Sequence, residues 1–138
     1  MKRRLIASTV IAVVFMAGYV AGQRQIPTAN KGQSDELLRT MDLSNEIAST
    51  QGKMLRMRKV TLAPGGVLGL HDHVDRPAIT YFLQGEVTYH AAGDSTAGGD
   101  KVTTAGGGNA EGRATKHWAE NTGKVPAVWI AVDIVPKQ

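Results

Sequence analysis

The reading of this chain turns on two stretches, Gly65-Gly66-Val67-Leu68-Gly69-Leu70-His71-Asp72-His73 and His117-Trp118-Ala119-Glu120-Asn121. His71 and His73 stand one residue apart. In a β-strand, side chains at i and i+2 leave the same face, so these two imidazoles point the same way. A third imidazole, from His117 on another strand, completes a compact three-nitrogen set suited to a transition metal. The chain has four histidines, and three of them fall into this pattern. The fourth, His90, has no matching spacing and reads as a strand-end or loop residue.

Outward from these stretches the chain reads as β. Residues 54–62 alternate and run into the turn signal Ala63-Pro64-Gly65-Gly66. Residues 67–73 form the next run. Residues 79–83 follow Asp75-Arg76-Pro77, and Gln84-Gly85 predicts a hairpin into residues 86–90. The glycine-rich residues 91–116 read as loop around a short strand at 101–104, and residues 117–121 and 127–135 close the series. Short strands at close spacing, with glycine and proline turns and no long helical period, predict an all-β sandwich or barrel over residues 51–138. Residues 23–50 read as linker and lead-in. Within them Ser34-Asp35-Glu36-Leu37-Leu38 carries the N-cap and acidic first turn of a short helix.

The N-terminus reads as an export segment. Lys2-Arg3-Arg4 precedes an uncharged run from Leu5 to Gly22. Val20-Ala21-Gly22 offers small residues for cleavage, which predicts a signal peptide over residues 1–22. The competing reading is an uncleaved anchor helix, because a helix of this length reaches about 27 Å, just short of a hydrocarbon core of about 30 Å. Either reading places the rest of the chain outside the cytoplasm: periplasmic, extracellular, or anchored to the inner membrane and facing outward.

Composition removes several function classes. The absence of cysteine excludes a disulfide scaffold, a thiolate zinc site, a thiol nucleophile and a lipid-anchored N-terminus. The net charge of +4 includes three positive and no negative charges in residues 1–22, so the remainder carries only +1. No basic stripe interleaved with aromatics points to nucleic acid. There is no nucleophile elbow, phosphate loop or dinucleotide fingerprint.

The two opening stretches resemble the motifs of the cupin superfamily, the double-stranded β-helix or jelly-roll barrels, in its small single-domain form. The first cupin motif reads Gly, five residues, His-x-His, three or four residues, Glu, six residues, Gly. Here Gly65, His71, His73 and Gly85 keep that spacing, and Ala78 stands at the glutamate position. In the second motif, Gly106, His117 and Asn121 keep their places, while Gly112 and Ala114 replace the expected Pro and Gly. The resemblance implies a cupin barrel with a divalent metal held by His71, His73 and His117. The missing carboxylate leaves metal charge uncompensated, which favours an anionic substrate or a substitute oxygen ligand. Glu111, in the glycine-rich stretch, is the candidate fourth ligand.

Imidazole suits Fe, Cu, Zn and Ni, and Mn completes the candidates. The implied function is metal-dependent, dioxygenase-like chemistry on a small molecule. The alternative is a non-enzymatic metal- or small-ligand-binding module for sensing, storage or delivery. With Ala78 facing the metal, alternation brings Thr80 and Phe82 into the same pocket and turns Tyr81 outward. Asn121 reads equally as a residue orienting a ligand and as the start of an Asn-Thr-Gly turn. Trp118 points away from His117 and reads as outer-face packing or an interface, and with Tyr81 it would suit a homodimer contact. Arg56 and Arg58 share a face that could bind an anionic substrate, though a solvated strand face is the stronger reading.

Overall fold

A computed structural model describes residues 25–92 and 100–137. The expected export segment, residues 1–22, lies outside the described residues. Among the described residues there is no helix. The strands are β1 (Lys31–Asp42), β2 (Lys53–Asp72), β3 (Ala78–Gln84), β4 (Glu86–Ala91), β5 (Lys101–Thr104), β6 (Gly108–Glu111), β7 (Lys116–Glu120) and β8 (Ala127–Pro136). They pair in the order β5-β4-β7-β2-β8-β3-β6, with β1 added on β2, and make a nearly closed all-β barrel.

β2 organises the barrel. Residues 53–62 pair with β8, while residues 67–72 pair with β7. The strand changes partners at Ala63-Pro64-Gly65-Gly66, where the sequence predicted a turn between two strands. Gly65 adopts a φ of 69° there. It donates its N–H to the Asn121 carbonyl at 2.8 Å, and Gly66 accepts from the Asn121 N–H at 3.0 Å. A bend with its backbone groups satisfied lets one strand serve two parts of the barrel.

Two expectations from local sequence are overturned. The helix signal at Ser34 lies inside β1, whose register on β2 runs from Lys31↔Val67 to Asp42↔Met54. Asp35 pairs with Arg58, and Glu36 with Lys59, so the acids of the supposed first turn meet cross-strand cations instead. The sheet ladder and these pairs outweigh a capping signal with only a turn or two of helix behind it. Gln84-Gly85 is not a hairpin either. β3 pairs with β6 and β8, whereas β4 pairs with β5 and β7. The chain crosses the barrel at Gly85, φ 69°, where a Cβ would stand 2.7 Å from the Pro126 carbonyl oxygen.

Alternation sets the interior. On β3, Ala78, Thr80 and Phe82 are buried while Ile79, Tyr81 and Leu83 are exposed. On β8, Ala127, Trp129, Ala131 and Asp133 face in. One end of the barrel is apolar, with Leu62, Val87 and Ala127 around Phe82, which stacks on Trp129 at 5.2 Å. The other end is polar. There the cross-strand row Glu111↔Ala78↔Asp133↔Arg56 spans β6, β3, β8 and β2.

Candidate metal centre

The polar end holds the histidines. His71 is the direct cross-strand partner of His117, and His73 follows one residue after the end of β2. His117 Nε2 lies 3.0 Å from His71 Nε2 and 3.3 Å from His73 Nε2. His71 Nδ1 is 2.8 Å from the Gly69 carbonyl, and His73 Nδ1 is 3.3 Å from the Arg76 carbonyl. A carbonyl only accepts, so both Nδ1 atoms carry the proton, and the Nε2 lone pairs face one another. The Tyr89 ring covers His117 at 5.1 Å. Three lone pairs at this spacing form a donor set that a cation fits.

The electrostatics keep the imidazoles neutral. Burial is the main cause lowering all three pKa values, and the Arg76 charge lowers each further. His73 falls to about 4 and His117 to about 3, each also depressed by the neighbouring imidazoles. Neutral imidazole is the form that ligates a metal.

Glu111 does not sit in a loop, as the glycine-rich sequence led us to expect. It ends β6, is buried, and pairs with Ala78 across the ladder. Its carboxylate already lies 3.4 Å from His73 Nε2 and 3.9 Å from His117 Nε2. Ala78, where the family motif carries its glutamate, is the cross-strand partner of Glu111. Burial pushes Glu111 up to about 7, with the positive charges of Arg76 and Lys101 opposing the rise.

The histidines, Glu111 and Thr80 line a cavity of about 220 Å³. Phe82 and Asn121 lie outside that lining. Phe82 belongs to the apolar core. Asn121 donates from Nδ2 to the Leu62 and Val125 carbonyls, at 2.9 and 2.8 Å, and accepts from the Gly123 N–H at 2.9 Å. Of its two readings, the structure shows the turn role, and the side chain also ties the turn to β2.

The sequence assigned no role to two lining residues, Arg76 and Asp133. Arg58 and Arg76 face the cavity, as does Asp133. Arg56 holds Asp133 through two bonds, Nε at 3.0 Å and Nη2 at 2.7 Å. The face shared by Arg56 and Arg58 is therefore interior, not solvated, because a buried carboxylate stands opposite it. The signal was available: alternation from Trp129 and Ala131 places Asp133 on the apolar face, where an acid demands a cation.

The lead-in also reaches the site. Thr28, Asn30 and Gln33 line the cavity mouth. Asn30 Oδ1 accepts from the Gly69 N–H at 2.8 Å, and the Pro27 carbonyl accepts from Leu70 at 2.7 Å. A Cβ on Gly69 would stand 2.6 Å from Thr28 backbone, so only glycine lets the lead-in pass this close.

On the outer surface, Trp118 is buried rather than open for contact, because His90 stacks on it at 3.9 Å. His90 itself lies between Asp100, at 2.8 Å, and Glu120, at 3.1 Å.

No protein-family model and no curated protein matches the chain. Solved structures do. An oxalate oxidase in complex with the substrate analogue glycolate is 25% identical, with 84% of this chain and 60% of that one covered, at a TM-score of 0.55. The Cupin_2 domain of an XRE-family transcriptional regulator from Enterobacter cloacae is 13% identical, with 78% and 100% covered, at a TM-score of 0.54. Bacillus subtilis oxalate decarboxylase, with Mn(II) centres, is 22% identical, with 82% and 28% covered, at a TM-score of 0.52. The chain thus spans about three-fifths of the oxidase and under a third of the decarboxylase.

Proposed function

From the premise that this chain is a cupin by fold, we propose that it is an exported metal-binding cupin acting on a small molecule through oxygenase-type chemistry. Its metal ligands are His71, His73 and His117, with Glu111 as the fourth. The observation that carries this reading is the pair Ala78↔Glu111. The carboxylate missing from the usual strand position is supplied one strand over, aimed at the same nitrogens. Three neutral imidazoles and one carboxylate suit a divalent ion of the Fe, Mn or Zn kind.

A bound redox-active ion would supply electron transfer or oxygen activation. The chain's own residues do the rest. Gly69 and Arg76 carbonyls orient two imidazoles. Tyr89, Trp129 and Leu68 wall the cavity and limit water. Burial holds Tyr89 protonated and its pKa well above the usual phenol range, so it is no base at neutral pH.

The second reading is a binding module that senses, stores or delivers. It is favoured by the cavity's lack of an acid–base pair outside the ligand set and the Asp133–arginine cluster. Oxygen uptake with iron or manganese added discriminates the two. The enzyme reading expects uptake with a candidate substrate, lost on His73→Ala. Ligand-dependent melting shifts without turnover would instead support the module.

Self-association belongs to the same proposal, on the face of Tyr81 rather than that of Trp118. Ile79 and Tyr81 on β3 stand opposite Val132 and Ile130 on β8, and Leu55 lies opposite Ile134. Ile79, Tyr81 and Leu83 are each more than half exposed, which makes this an apolar outer sheet face. An apolar patch is self-complementary across a two-fold axis, which suits a second copy. Light scattering is expected to find a dimer that Ile79→Glu separates; a monomeric parent would exclude it.

A further inference from the structure

The cavity lining carries positive charge and three buried polar atoms with nothing to bond, Thr80 Oγ1 and two beside the arginines. Three guanidiniums meet there. Arg56 is committed to Asp133 by its two bonds. Arg58 reaches Asp133 at 3.3 Å through Nη2 and pairs with Asp35 through Nη1. Arg76 approaches Asp133 only at 3.8 Å, and its side chain is about one-third exposed. Two carboxylates therefore serve three arginines, and the surplus charge rests on Arg76. Glu111 does not remove it, because that carboxylate faces the histidines. The Arg76 charge is felt across the cavity, at all three histidines and at Glu111.

The two unpaired atoms beside the arginines are a donor and an acceptor. Arg58 Nε is buried without a partner, although both terminal nitrogens of the same guanidinium are engaged. Gln33 Oε1 is likewise buried and unpaired, while its Nε2 donates to Asp35 at 2.8 Å. Both residues line the same cavity as the histidines. A buried polar atom left unpaired is costly, and such atoms are kept where something else completes them.

We infer that this wall is a subsite for a small 2-hydroxycarboxylate. Its carboxylate lies on Arg76 and accepts from Arg58 Nε, and its hydroxyl donates to Gln33 Oε1. A planar carboxylate suits guanidinium donors. The single surplus charge matches a monoanion better than a phosphate dianion. A cavity of about 220 Å³ holds only a compact ligand. The inference deepens the metal-site reading, because the same ligand would lie against the three imidazoles. It makes Arg76 the residue that selects ligand charge.

Calorimetric titration of the full chain tests this, in metal-free and zinc-loaded form. The probes are glycolate, its neutral analogue glycolamide, acetate (which lacks the hydroxyl) and inorganic phosphate. Glycolate is expected to bind best, acetate more weakly, and glycolamide at least about tenfold more weakly than glycolate. Arg76→Gln is expected to lose glycolate affinity about tenfold or more. Its zinc uptake should not fall, since the Arg76 group that bonds His73 is the backbone carbonyl and loss of a nearby positive charge favours a cation. Arg76→Lys should recover part of the loss. Equal binding of glycolate and glycolamide, tighter phosphate binding, or an Arg76→Gln protein with parental glycolate affinity would each overturn the inference. A parent that takes up no zinc, yet binds glycolate through Arg76, would remove the metal reading and leave this one standing.

Discussion

His117→Ala is expected to abolish stable metal binding, with a fall in affinity of more than about 100-fold. Losing merely a residue that orients a ligand typically costs about 10–100-fold, and loss of a ligand should exceed it. His117 is the central member of the set, since its Nε2 is the atom within 3.3 Å of both other Nε2 atoms. Removing it leaves His71 and His73 as two ligands without the third corner. The fold should survive with a modest loss of packing, because His117 is not part of the Phe82–Trp129 stack and touches the core through Tyr89. Metal content by mass spectrometry after reconstitution checks the effect, and melting of the metal-free protein checks the fold. A folded variant that retains parental metal content would refute the three-histidine site.

Glu111→Gln is expected to make the metal-free protein more stable at pH 8 and its metal binding weaker. The direction follows from linkage. Burial raises Glu111 from 4.5 to about 7 in the folded chain. Below the unfolded value both states are protonated, and Glu111 contributes nothing. Between the two values the unfolded chain ionises and the folded chain does not, so stability falls as pH rises. Above about 7 the penalty is complete, on the order of 3–4 kcal/mol at about 1.4 kcal/mol per unit. Glutamine removes it. The histidines act in the opposite sense. Their lowered values, about 4 for His73 and about 3 for His117, mean that stability is lost as pH falls below the ordinary histidine range. Comparing parent with Glu111→Gln isolates the carboxylate. Chemical denaturation should give a gap of about 3–4 kcal/mol at pH 8 that closes near pH 4. A gap independent of pH would show that Glu111 ionises in the folded chain as readily as in the unfolded one, and would refute the raised value. Metal affinity should rise with pH through about 7 in the parent, because the ion must displace the Glu111 proton, and this rise should flatten in the variant. Such a trade of stability for a binding site is a common cost of function.

Much of the barrel was legible in sequence because its signals are local. The alternation at Ala78, Thr80 and Phe82 gave the inner face of β3, and the His71-x-His73 spacing gave two imidazoles on one face. The positions of residues 101–104, 117–121 and 127–135 also held to within a residue or so. Other signals were local and misleading. Ser34-Asp35-Glu36 reads as a helix cap, yet Arg58 and Lys59 claim its acids. Gln84-Gly85 reads as a hairpin, yet its two strands never pair. Arg56 and Arg58 read as solvated because their partner, Asp133, lies some seventy-five residues downstream.

The sequence by itself determined the fold class, the inner faces and the three histidines, since these depend on residue type and on a period of two along one strand. Only the tertiary structure decided what stands beside what. It placed Glu111 opposite Ala78, gathered three arginines around Asp133, and laid Thr28 against Gly69. Those neighbours are fixed by register between distant strands, and a one-residue slip would turn each of them to the other face.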